Sequence, residues 1–115
     1  MKTLSELTKK IVSFRDARDW KQFHKPKDMA LSLVLEAAEV VELFQWKNDE
    51  EVADTMSKLR KDLGRELSDV LYWVVLMAHD CGVDLEGAFD EKMAENEGKY
   101  PVDTARGSKR KYSKE

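Results

Sequence analysis

The sequence predicts an all-α fold: a four-helix, bundle-like subunit that assembles into an oligomer. Three observations carry this. The 115 residues include only 5 Gly and 2 Pro, and no pair of alternating runs joined by a turn dipeptide reads as a β-hairpin. Apolar residues recur at the three- and four-residue spacing of a helix face. The second predicted helix is apolar almost all round, so it must be covered on most sides, and a chain this short has limited means of covering it alone.

The elements follow in order. Thr3 and Glu6 are spaced as a capping box and open helix one at Leu4, which runs to about Asp16. The segment Arg18 to Pro26 reads as a structured loop, with Pro26 stopping a helix and Asp28 available to cap the next. Helix two runs from Met29 to about Trp46, and the polar stretch Asn48 to Asp54 reads as a connection. Helix three runs from about Thr55 to Asp80 and ends at Gly82, a suitable C′ residue. Gly64 falls inside it, where the helical pattern gives no reason for a glycine. Asp84 caps helix four, which continues to about Lys99, where Tyr100-Pro101 ends it. The tail from about residue 102 is basic and reads as loosely held. With no internal repeat, residues 1–115 read as a single domain.

Composition excludes several classes. The single cysteine, Cys81, makes no intramolecular disulfide and no Cys-rich zinc site. Met1 to Lys10 has no continuous apolar run, and the longest apolar stretch, Val70 to Ala78, is too short to span a bilayer. A cytoplasmic protein with no membrane partner is expected. Net charge is −3, unevenly spread: residues 1–28 carry +4, 29–98 carry −11 and 99–115 carry +4. An acidic middle between basic ends suits a cation site edged by anion-binding groups. No nucleic-acid motif and no P-loop spacing occurs, so no nucleic-acid partner is expected.

The acidic middle contains two pairs, Glu36-x-x-Glu39 on helix two and Glu66-x-x-Asp69 on helix three. Three-residue spacing puts both members of a pair on one helix face. Glu36 and Glu39 occupy the narrow polar strip of helix two, with Glu42 beside them. If the helices fold back around the 48–54 connection, the two pairs lie at the same depth and four carboxylates converge. Such a cluster needs a counter-charge, and oxygen-only ligands favour Mg²⁺, with Mn²⁺ a possible substitute, over zinc or copper. His24 and His79 do not follow a Glu by three, which disfavours a di-iron carboxylate bundle.

The two acid pairs resemble the metal motif of the MazG-like, all-α nucleoside triphosphate pyrophosphohydrolases. Further blocks resemble the dCTP pyrophosphatase branch: Arg18-Asp-Trp-Lys-Gln-Phe-His24, Glu42-Leu-Phe-Gln-Trp-Lys47, Glu66-Leu-Ser-Asp-Val-Leu71, Lys99-Tyr-Pro-Val102, Arg106-Gly-Ser and Lys111-Tyr. The resemblance implies a MazG-type subunit, a homotetramer in preference to a dimer. It also implies Mg²⁺-dependent cleavage of dCTP or related dNTPs between the α and β phosphates, giving monophosphate and pyrophosphate, a house-cleaning of the nucleotide pool. Glu36, Glu39, Glu66 and Asp69 would hold the metal and form the catalytic set, with Glu39 and Glu42 as candidate bases.

Trp20, Trp46 and Trp73 are candidates to stack on the base, and His24 shares a block with Trp20. Lys92, Asn96 and Tyr100, spaced i, i+4, i+8 on helix four, match the Lys, Asn and Tyr that contact triphosphate and sugar in the similar dCTP enzymes. Lys99 and Arg106 add positive charge. Ile11 stands where the dCTP-specific relatives have a histidine, so strict cytosine selectivity is not expected. Two alternatives remain: a non-catalytic helical oligomeric interaction module with a structural cation, and a dUTPase-like hydrolase of the same superfamily.

Overall fold

Helix α1 spans Leu4–Asp16 in a computed structural model that describes residues 1–110 of the chain. Its N-terminus has the expected cap: the Glu6 N–H donates to Thr3 Oγ1 at 3.1 Å. A single 3-10 turn, Lys21–Phe23, follows in the loop. Asp19 enters that loop with φ 54°, in the left-handed region, where a short polar side chain is among the tolerated kinds. Gln22 Nε2 donates to the Asp19 carbonyl at 2.9 Å and steadies the turn.

Helix α2 spans Pro26–Glu42 and so begins three residues before the expected Met29. Pro26 opens the helix rather than stopping one, because the first helical position needs no N–H partner. Asp28 therefore sits in the first turn instead of capping it, and Lys25 is the N-cap. The α2 register ends at Glu42; Leu43 to Trp46 continue as turns, with the Phe44 N–H donating to the Val41 carbonyl at 2.9 Å.

Helix α3 spans Asp49–Asp80, six residues longer at its start than the sequence pattern suggested. The stretch expected to connect helices is its first turns. Asn48 and Glu51 make a full capping box: the Glu51 N–H donates to Asn48 Oδ1 at 2.8 Å, and the Asn48 N–H donates to Glu51 Oε1 at 3.3 Å. Asp49, Glu50 and Glu51 then suit the positive end of the helix dipole. Gly82 ends the helix with φ 69°, as its sequence position suggested.

Helix α4 spans Leu85–Lys99, capped by Asp84, whose Oδ1 accepts from the Gly87 N–H at 3.2 Å. One more helical turn, α5 (Val102–Ala105), occupies the start of the tail that was expected to be loose; Pro101 precedes it as N-cap. The Lys111-Tyr piece of the motif set lies outside the described residues. Among those described there are five α-helices and no strand, and no helix is long and apolar enough to cross a membrane.

The chain divides into two compact units, Met1–Gly82 and Val83–Glu115. In the first, α3 packs on both α2 and α1, and the buried centre is Met29, Val75, Leu76 and the Arg15 side chain. The second contains α4 and α5, none of whose residues is fully buried. On α4, Glu95 Oε1 receives Lys92 Nζ at 3.4 Å and Lys99 Nζ at 2.8 Å.

Candidate active site

Glu36 and Glu39 on α2 and Glu66 and Asp69 on α3 converge: one carboxylate oxygen from each lies within 4.8 Å of all the others. The convergence does not arise from the symmetric fold-back that the sequence suggested. The turn lies at residues 43–48, close to the first pair and far along the chain from the second. At 1.5 Å per residue α3 is ~48 Å long and α2 ~26 Å, so α3 outruns its partner and matches it only over part of its length.

Two full charges about 5 Å apart repel by ~3 kcal/mol at an effective dielectric of 20. Within Met1–Gly82, no described Lys or Arg forms an ion pair with any of the four acids. Crowding and burial act on two of the four carboxyls. Burial, then the Glu39 charge, raise the Glu36 carboxyl above the ordinary range. A hydrogen bond with the Glu39 carboxyl is the main cause raising Glu66, followed by burial.

Glu36 Oε2 and Glu66 Oε2 are both buried with no hydrogen-bond partner. Unsatisfied buried acceptors are costly, and a cation removes the cost at both atoms. Four hard oxygen donors with two orphaned acceptors fit a divalent metal ion, so these residues could hold one.

Beside the acids lies a cavity of about 350 Å³ lined by Phe14, Trp20, His24, Asp69, Tyr72 and Trp73. Its rings form a continuous edge-to-face arc. Trp20 meets Phe14 at 5.8 Å between centroids, Phe14 meets Tyr72 at 6.2 Å, Tyr72 meets Trp73 at 5.1 Å, and Trp73 meets His24 at 5.1 Å. Such pairs fix one another's orientation. The Arg18 guanidinium lies 3.8 Å from the Phe14 centroid and donates to the Phe14 carbonyl at 2.8 Å. His24 Nδ1 is buried without a partner. Burial, then the Arg15 charge, hold the His24 imidazole below its ordinary pKa.

Of the residues singled out from the sequence, Trp20, His24 and Trp73 share the cavity with Asp69, and Asp69 in turn belongs to the acid cluster. Glu42, the last residue of α2, is outside that cluster. Trp46 is 85% exposed on the turn after α2 and does not line the cavity. Lys92, Asn96 and Tyr100 belong to the second unit, on α4 and at its C-cap. Phe14 and Tyr72 were missed. Tyr72 adjoins Trp73 in sequence and could have been read with it. Phe14 lies near the end of an ordinary amphipathic helix, and nothing local marks it.

The MazG-like family model matches residues 31–114 of this chain. Among curated proteins, dCTP pyrophosphatase 1 of Rattus norvegicus is 44% identical over 113 residues, covering 96% of this chain and 66% of the relative. That of Homo sapiens is 43% identical over the same shares. The chain thus spans about two thirds of the length of these relatives. Among solved structures, a pyrophosphatase from Archaeoglobus fulgidus superposes with a TM-score of 0.80 at 31% identity, covering 88% of this chain and 94% of that one.

Proposed function

The chain belongs to the MazG-like family, and on that premise we propose that it hydrolyses nucleoside triphosphates, dCTP or related dNTPs, to the monophosphate and pyrophosphate. The observation that carries this reading is Asp69, which lines the aromatic cavity and is also one of the four converging acids. A ring seated in the cavity then has its phosphates directed at the carboxylates. The names of the relatives, dCTP pyrophosphatase 1 and a pyrophosphatase, point the same way.

Glu36, Glu39, Glu66 and Asp69 are the residues that would hold Mg²⁺, with Mn²⁺ able to substitute. The ion, when bound, supplies the charge that neutralises the triphosphate and the departing pyrophosphate. The chain's own groups do the rest. The rings of Trp20, Trp73 and their neighbours hold the base face and exclude water. A carboxylate takes the proton of the attacking water as a P–O bond forms and the bond bridging the α and β phosphates breaks. Glu39, which lies in the cluster, is better placed for this than Glu42. Lys92, Asn96 and Tyr100 keep, from the family resemblance alone, the role of contacting triphosphate and sugar, and Trp46 that of stacking on the base.

The assembly is a homo-oligomer in this reading, a tetramer in preference to a dimer. Leu31, Val34 and Leu35 on α2 and Leu67 and Leu71 on α3 are all exposed in the single chain, more apolar surface than a lone subunit ordinarily leaves in water. The protein works as one domain in the cytoplasm, where its nucleotide substrates are.

Incubation with each dNTP and Mg²⁺, followed by identification of the products, tests the function. Monophosphate with pyrophosphate is the expected outcome. Diphosphate with phosphate, or no turnover of any nucleotide, overturns it.

A further inference from the structure

Arg15 is the one buried charged residue among those described, at 1% exposure. Its Nη1 donates to Oδ2 of Asp80, whose side chain is 10% exposed, and its Nε donates to Asp16 Oδ1 at 3.0 Å. Its main-chain carbonyl accepts from the Arg18 N–H at 3.1 Å and the Trp20 N–H at 3.3 Å. One residue therefore joins three segments: α1, the loop that carries Trp20 and His24, and the end of α3.

Helix α1, the loop and α3 all contribute cavity wall, α3 through Asp69, Tyr72 and Trp73. Phe14 is the residue before Arg15. Trp20 hangs from its carbonyl. On α3, Asp69, Trp73 and Asp80 fall within about 40° of one another around the helix axis, so one stripe runs from the acid cluster through the cavity to the ion pair. His24 lies in the field of both charges, Arg15 opposing its protonation and Asp80 favouring it.

A buried ion pair is a poor device for stability alone, since removing two charges from water offsets their attraction and apolar residues of similar volume often serve as well. What an apolar contact lacks is direction. The planar guanidinium fork fixes angle as well as distance.

We propose that the Arg15–Asp80 pair is a positioning device for the cavity, holding α1 and the 17–24 loop in register on α3 and thereby setting how tightly substrate binds, without touching substrate. This rests on the cavity being the nucleoside end of the proposed active site.

The test is the variant R15M/D80L, which replaces the pair with apolar side chains of similar length. Steady-state kinetics with the dNTP that the wild type turns over best should show KM raised about tenfold, kcat within about threefold, and a thermal midpoint near that of the wild type. Without nucleotide, acrylamide quenching of tryptophan fluorescence, in a W46F background so that Trp20 and Trp73 report, should increase. Wild-type KM with wild-type quenching, or a loss confined to kcat, overturns the proposal. If circular dichroism shows the double variant unfolded, R15K, which keeps the charge and the length but removes the planar fork, is read by the same criteria. If the wild type turns over no nucleotide, the proposed function falls and the quenching arm alone decides the pair: unchanged quenching overturns it and increased quenching supports it.

Discussion

Asp69 lies three residues after Glu66 and four before Trp73, so one turn of helix places it at once in the acid cluster and in the cavity wall. The consequences at single residues can be measured. Glu39→Gln keeps the size of the side chain and removes a charge from a site that is over-charged without metal. It should retain the wild-type circular dichroism spectrum and lose activity by about 100-fold or more. In the wild type, Mg²⁺ at a hundredfold excess over its Kd should add about 2.7 kcal/mol of stability. A thermal melt of Glu39→Gln with and without Mg²⁺ should show most of that gain lost; a full gain would remove Glu39 from the metal site. Trp46 is so exposed in the single chain that Trp46→Ala should leave the melting temperature almost unchanged, while KM rises more than kcat falls. An unchanged KM would leave it a surface residue.

His24 supplies the pH prediction. Its imidazole is held below the ordinary histidine value of about 6.5 by burial and by Arg15. In the folded state the neutral form is favoured, so the unfolded chain takes up the proton first. The stability from this group is present above pH ~6.5 and is lost as pH falls through the lower, folded value. Glu36 and Glu66 work in the opposite sense, since their raised carboxyls gain protons more readily in the fold. The comparison must therefore be made between wild type and His24→Gln. Melting temperatures taken from pH 7.5 down to 5 should show the variant losing less stability than the wild type. Parallel curves would contradict the assignment.

At the level of elements, the acid pairs were legible because a helix repeats every 3.6 residues, and three-residue spacing alone shows that two side chains share a face. The start of α3 was not, because Asn48 to Asp54 has no apolar periodicity; its helical state comes from the Asn48–Glu51 box and the acidic first turn. Asn48→Ala should cost about 1 kcal/mol by denaturant titration. The cavity was half legible. Trp20 and His24 stand in a recognisable block and Trp73 lies one helical turn beyond Asp69, whereas Phe14 reaches the site only because Arg15 and the packing of α1 on α3 bring it there. Gly64 is now placed in the middle of α3, where an added Cβ would meet nothing within 4 Å in the single chain. Gly64→Ala should raise stability by about 1 kcal/mol. Destabilisation instead would mean that another subunit packs against that spot.

For the whole molecule, the uneven charge has a physical basis. The −11 of residues 29–98 includes the four acids that a cation would neutralise. The all-α class was legible from composition and period, because nothing in the chain competes with helix. The proposed assembly rests on excess apolar surface, and α2 carries it: Met29 is buried while Leu31, Val34, Leu35 and Val41 are exposed. Leu35→Glu, at 66% exposure, should leave the subunit folded and shift its mass by light scattering toward the monomer. An unchanged mass would show that this face is not an interface.

If these carboxylates and this cavity form one catalytic site for a nucleoside triphosphate, the phosphates of the substrate report it. The readout is the ³¹P spectrum of dCTP incubated with Mg²⁺ and either the wild type or Glu39→Gln. The wild type should convert the three triphosphate resonances into those of dCMP and pyrophosphate, while the variant should leave them essentially unchanged. Appearance of dCDP and phosphate, or equal conversion by both proteins, would contradict such a site.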